Sequence, residues 1–281
     1  MIIDCHTHIN NYHDEQVASL ETCINELVLQ MRRHRVDVSL VLTSYKVTPG
    51  RPSTADAVRA TKHLPQISIV AGVTPAMIMD PMLDELRGFA AAGHVRGFKI
   101  YPGYEPYYPS DERFAPLYAL AAETRLPVMI HCGDTFTPRG RLKYAHPLNV
   151  DEAAVDHPDV NFVICHLGAP WFRDTMEVVY KNANVYTDTS GLVLGDFSDR
   201  YEAFIRKQLQ EMLVYGMEPD KVLFGSDWPI SSMESYLEFM DELPLPGPDR
   251  DKIMWKNAYT LFRLTLPPAV AGAPATSLRE R

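Results

Sequence analysis

The chain of 281 residues is 46% hydrophobic and 22% charged, with a formal net charge of -9, a composition that supports one large buried core. The acidic balance excludes nucleic acid or an anionic membrane surface as the main partner and leaves small molecules. No apolar run approaches the ~18 residues of a membrane span, and Met1 leads straight into a strand, so a cytoplasmic protein without a signal peptide is expected.

The opening residues Met1 to His8, Met-Ile-Ile-Asp-Cys-His-Thr-His, read as a buried strand. Positions i and i+2 of a strand face the same side, so His6 and His8 can reach one ion. Gln16 to Arg35 then carries apolar residues at helical spacing (Val17, Leu20, Ile24, Leu27, Val28, Met31), the pattern of an amphipathic helix. Val36 to Leu42 is a second strand, Thr54 to His63 a helix and Ile67 to Val73 a third strand. Pro81 to Ala92 is helical, Val95 to Tyr101 a strand, Arg113 to Arg125 helical and Pro127 to Cys132 the fifth strand. Asn149 to Asp156, Asn161 to Cys165, Trp171 to Lys181 and Val185 to Thr189 continue the alternation. Arg200 to Tyr215 and Val222 to Phe224 supply the next helix and the eighth strand. Ser235 to Met240 and Arg250 to Phe262 close the ring, and the Pro/Ala-rich end from residue 267 to 281 reads as a frayed tail. Eight strands alternating with helices predict a single-domain (β/α)8 TIM barrel over residues 1–266. An open doubly wound sheet fits less well, because no Gly-rich phosphate loop follows the first strand.

In such a barrel the chemistry sits where strands end. Strand one ends in His6 and His8, strand four in Lys99, strand five in His131, strand six in His166 and strand eight in Asp227. Ionisable groups ending apolar strands are costly to desolvate unless paired or metal-bound, so packing alone does not account for the set. His13, His34, His63, His94 and His157 fall on loops or helix ends, where exposure or capping is expected. Cys5, Cys132 and Cys165 flank the strand-end histidines; by strand alternation they are expected to pack under the outer helices, not to bind metal.

The order His-x-His, Lys, His, His, Asp resembles the amidohydrolase superfamily, and more closely its amidohydrolase-related branch that includes aminocarboxymuconate semialdehyde decarboxylase and lactone- and dicarboxylate-acting hydrolases. The resemblance runs from His6 to Asp227, with Cys165-His166-Leu167-Gly168 and Phe224-Gly225-Ser226-Asp227 as its sharpest pieces. It implies that His6, His8, His131 and Asp227 hold one divalent ion, with Zn2+ expected and Mn2+ as the alternative. It implies that His166 is a catalytic acid/base or a ligand of a second ion, and that Lys99 is either a free ammonium or a carbamate bridging two ions. TatD-like nucleases share the opening motif but are disfavoured by Lys99, which stands where an acidic residue is expected in them. Two or three imidazoles with one carboxylate leave an open coordination position, the catalytic type of metal site.

The loops address the substrate. The segment Pro102 to Pro109 is rich in tyrosine and proline and suits a wall beside a planar ring, and Arg139, Arg141 and Lys143 with His146 form a basic cluster suited to a carboxylate. Lys99, Tyr101, Tyr104, Arg139, Arg141 and Trp228 are therefore the expected substrate contacts, and the substrate an anionic small molecule; a homo-oligomer is left open. The reaction expected is hydrolysis of a lactone, amide or ester of a small organic acid by a metal-bound hydroxide, with Asp227 and His166 moving protons. The alternatives are nonoxidative decarboxylation of an aromatic or unsaturated acid, which uses much the same residues, and an inactive metal-binding barrel.

Overall fold

The computed structural model describes residues 1–12 and 18–265. The described residues form one eight-stranded parallel sheet in sequential order, β1 to β8, with helices between the strands. The strands are β1 (Ile3–Thr7), β2 (Val38–Leu42), β3 (Ile67–Gly72), β4 (Val95–Ile100), β5 (Val128–Ile130), β6 (Phe162–Ile164), β7 (Val185–Asp188) and β8 (Val222–Leu223). The helices are α1 (Leu20–His34), α2 (Thr54–Thr61), α3 (Asp80–Ala91), α4 (Ala115–Thr124), α5 (Leu148–Asp156), α6 (Phe172–Lys181), α7 (Asp199–Tyr215), α8 (Met233–Asp241), α9 (Gly247–Asp251) and α10 (Asn257–Leu261). The ring closes as Cys5 N–H donates to the Phe224 carbonyl at 2.9 Å, Asp227 N–H to that of His6 at 2.8 Å and His8 N–H to that of Trp228 at 2.8 Å. This is the TIM barrel that the alternation predicts. Among the described residues no helix is long and apolar enough to cross a membrane.

Alternation along the strands divides the core in two. Phe98, Ile100, Val128, Ile130, Phe162 and Ile164 pack outward with the helices. Leu40, Leu42, Val70, Met129, Val163 and Leu223 fill the interior, with Phe262 and Leu264 beneath them. Gly97 permits that plug, since a Cβ there would lie 3.2 Å from the Phe262 ring.

Element edges shift for local reasons. Ser19 caps α1 by accepting from Thr22 N–H at 3.1 Å, so the helix starts at Leu20; residues 13–17, with His13 and the expected start at Gln16, lie outside the described residues, as does the tail 267–281. The helix expected over 113–125 is a 3-10 turn, Glu112–Phe114, running into α4. Between α9 and α10 the chain widens into a π turn over Lys252–Lys256, and the Ile253 carbonyl there accepts from Phe224 N–H of the barrel at 3.0 Å.

Candidate metal centre and active-site cavity

The strand ends converge as residue types, and small departures from ideal strand geometry aim them. The pairing of β1 with β2 slips between Asp4 and Thr7, which ends strict alternation just before the His-x-His pair. His166 and Asp227 both adopt the left-handed backbone region, with φ of 64° in each, an uncommon conformation for residues with a Cβ. It turns His166 into the barrel mouth beside Cys165 when strand parity would have sent one of them outward. The reading of the cysteines is therefore corrected. Cys132 packs in the outer layer, whereas Cys5 and Cys165 belong to the interior, and Cys165 Sγ accepts from Lys99 Nζ at 2.6 Å.

His6, His8 and Asp227 bring one donor atom each within 4.8 Å of one another. His6 Nδ1 lies 2.9 Å from Asp188 Oδ2, and His8 Nδ1 lies 3.0 Å from the Leu42 carbonyl. Both partners are acceptors, so each ring carries its proton on Nδ1 and turns an Nε2 lone pair to Asp227 Oδ1, at 3.6 Å and 3.1 Å respectively. Asp227 Oδ1 is buried without a hydrogen-bond partner among the described residues. An orphaned carboxylate oxygen facing two imidazole lone pairs is unfavourable by itself and fits a divalent cation. Burial raises the Asp227 carboxyl, but in acid, where the rings are protonated, His8 and the charges of His6 and His166 outweigh it and hold it well below the usual range.

His131 shares the mouth but stands outside that three-residue set. Its Nε2 faces the Asp134 carbonyl at 3.0 Å and its Nδ1 lies 3.2 Å from His166 Nε2. Burial, reinforced by the charge of His166, lowers His131 well below its ordinary value. Burial, followed by the charge of His6, lowers His166 to about 4, so both rings are neutral at pH 7.

Two carboxylates outside the expected site residues, Asp188 and Asp4, support this set. Asp188 ends β7, completely buried, and besides His6 it accepts from the N–H groups of His166 at 2.9 Å and Ser190 at 3.1 Å. Burial works against its charge, but His6 holds it far below the usual carboxylate range. It obeys the same strand-end rule as the other residues and could have been found by it. Asp4 accepts from His6 N–H at 3.1 Å and from Ser226 N–H at 3.0 Å, bracketing the segments that carry His6 and Asp227; burial pushes it up to about 7. An Asp inside the apolar run of β1 was the available signal. His6, Cys165 and Asp188 form a second group of closely spaced donors.

Above these residues opens a cavity of about 780 Å³. Tyr104, His131, His166 and Asp227 stand at its deep end, and Trp171, Leu192 and Ile230 contribute to its walls. Tyr104 accepts from Phe136 N–H at 3.0 Å and its ring centroid lies 4.7 Å from that of His131. The remaining expected substrate contacts fall elsewhere. Tyr101 is buried and donates to the Thr43 carbonyl at 2.6 Å. Lys99 is buried against Cys165, beneath the cavity. Trp228 packs partly into the main core. Arg139, Arg141 and Lys143 are exposed and do not line the cavity, because their loop folds through a 3-10 turn at Leu142–Tyr144 that directs Leu142, not the cations, to the mouth. Among the described residues no lysine or arginine lines the cavity.

The amidohydrolase family model matches residues 3–264. A gamma-resorcylate decarboxylase from Rhodococcus jostii is 22% identical over 300 residues, covering 90% of this chain and 91% of that protein. A dihydroxybenzoic acid decarboxylase from a Polaromonas species, solved with manganese and the inhibitor 2-nitroresorcinol, shares the fold with a TM-score of 0.65 at 13% identity, covering 93% of this chain and 96% of that one. A candidate 2-pyrone-4,6-dicarboxylic acid hydrolase from Pseudomonas putida shares it with a TM-score of 0.69 at 18% identity, covering 95% and 98%.

Proposed function

Because the chain belongs to the amidohydrolase family, we propose that it is a metal-dependent nonoxidative decarboxylase of a hydroxy-substituted aromatic carboxylic acid. Hydrolysis, the reaction expected from the sequence, is corrected by a 22% identical relative that spans most of both chains and is a decarboxylase; the fold alone is common to both chemistries.

The observation that carries the reading is the cavity: an aromatic and aliphatic chamber with no lysine or arginine among the described residues that line it, opening onto the histidine and aspartate cluster. A dicarboxylate would leave one charge unpaired in it, at a desolvation cost. A ring bearing one carboxylate at the deep end leaves none.

His6, His8 and Asp227 would hold one divalent ion, with His131 presenting Nδ1 to the same space; their mixed nitrogen and oxygen donors suit manganese or zinc, and the manganese in the Polaromonas relative supports the former. When bound, the ion would orient the substrate carboxylate and its neighbouring hydroxyl and draw electron density from them. Asp188 fixes the His6 ring, and Asp4 with Ser226 fixes the turn that carries Asp227. Tyr104 and Trp171 flank the ring and exclude water. The bond between ring and carboxylate breaks, its electron pair takes a proton at the ring carbon, and carbon dioxide leaves. His166 Nε2, at the cavity floor, is the atom assigned to that transfer: neutral at rest, the ring takes the proton that the substrate's ring hydroxyl releases and passes it to the ring carbon, and Asp227 remains the second proton-moving group.

Manganese-loaded protein incubated with a panel of mono- and dihydroxybenzoates should release carbon dioxide from at least one of them and cease to do so after chelation. Turnover of lactones or amides with none of the benzoates would overturn the reading.

A further inference from the structure

Five large apolar side chains that remain exposed stand together around the cavity mouth. Phe136 and Leu142 from the loop after β5, Leu194 from the loop after β7, and Tyr201 and Phe204 from α7 all line it while staying between 39% and 71% exposed. A contiguous patch of this kind on a soluble surface marks a binding surface. It is continuous with the candidate centre, which identifies the occupant as part of whatever reacts there.

The mouth is a built feature. Leu192 N–H donates to the Tyr236 hydroxyl at 2.6 Å, and the Gly195 backbone exchanges hydrogen bonds of 2.9 Å with Ile230 and Ser232, tying the Leu194 loop to the segment after β8. The Phe204 ring lies 6.2 Å from Tyr201 and 6.4 Å from Phe172, centroid to centroid. The charged group contributed by the loop after β5 is Asp134, which repels a second carboxylate. The chamber of about 780 Å³ falls within the range of about 300–1,000 Å³ that takes drug-sized ligands, more than a single-ring acid fills.

We infer that the substrate carries an uncharged apolar substituent, an alkyl chain or second aryl ring, on the ring edge opposite the carboxylate, and that Leu194, Tyr201 and Phe204 select for it. This rests on the reading of the site as an aromatic-acid decarboxylase. The test uses 5-alkyl-2-nitrophenols, in which the nitro group stands for the carboxylate, titrated calorimetrically into manganese-loaded protein. From hydrogen to butyl the affinity should rise about three- to fivefold per methylene, the gain expected for burying each one, and the double variant Leu194→Ser/Phe204→Ser should flatten the series. An unchanged affinity across the series in the parent overturns the inference, as does a flat series in which the double variant dissociates a dimer, for then the patch is an interface between copies. Carbon dioxide release is measured separately from 2-hydroxybenzoate and its 4-butyl derivative, so a flat binding series with active decarboxylation refutes the substituent alone, and a rising series with no decarboxylation of either acid refutes the reaction alone.

Discussion

Asp227 Oδ1 faces two imidazole nitrogens whose protons are committed elsewhere, and the first prediction follows from that arrangement. Loaded protein should hold about one manganese or zinc ion per chain, and His6→Ala or Asp227→Ala should lose most of it, read by elemental analysis after gel filtration; unchanged content in both variants would contradict the assignment. Asp188 acts through His6, so Asp188→Asn should weaken metal binding about 10- to 100-fold, the usual cost of removing a partner behind a ligating histidine. Cooperative unfolding should persist in that variant, separating loss of positioning from loss of fold. The buried histidines set a pH dependence for the metal-free protein. His6, His131 and His166 titrate below their ordinary value in the folded state, His166 at about 4. Between that value and ~6.5 the unfolded chain binds more protons, so stability is full above ~6.5 and is lost as the pH falls toward 4. Asp188 and Asp227, depressed as carboxylates, add their loss only below ~3.9, the unfolded value. Melting temperatures should therefore drop across pH 6.5 to 4 in parent protein and drop less in His166→Gln; a flat profile would contradict the buried neutral state.

At the scale of elements, the strand and helix order was legible because hydrophobic periodicity switches between the two patterns along most of the chain, and strand ends could be read as candidate site positions. Legibility stopped where backbone geometry departs from the pattern. Cys165 and His166 are adjacent yet both reach the interior, because φ at His166 is 64°, and no side-chain pattern signals that. Leu142 faces the cavity while Arg139 and Arg141 do not, since a loop has no periodicity to fix which side chains turn inward. Gly191 shows how narrow the solution is: φ there is +61°, and a Cβ would lie 2.3 Å from His166 Nδ1 and 2.9 Å from Asp227 Oδ2. Gly191→Ala should cost about 1–2 kcal/mol from the left-handed backbone alone and lower kcat at least tenfold by displacing His166. Parent-like kcat and melting temperature would show that the loop relaxes freely.

For the whole molecule, a net charge of -9 surrounds a cavity that no lysine or arginine among the described residues lines, so binding of an anionic acid would rely on the proposed ion at its floor. Removing that ion should abolish affinity for benzoate-type acids, not merely slow turnover. The barrel is equally compatible with hydrolysis, and residue types at strand ends do not separate the two reactions, which is why the sequence alone led to the wrong one. Decarboxylation is met most directly by an isotopic measurement: manganese-loaded protein acting on a hydroxybenzoate in heavy water, with a parallel reaction in water carrying labelled oxygen. Carbon dioxide should form with deuterium on the vacated ring carbon and no labelled oxygen in the aromatic product. Labelled oxygen in the aromatic product without carbon dioxide would contradict it.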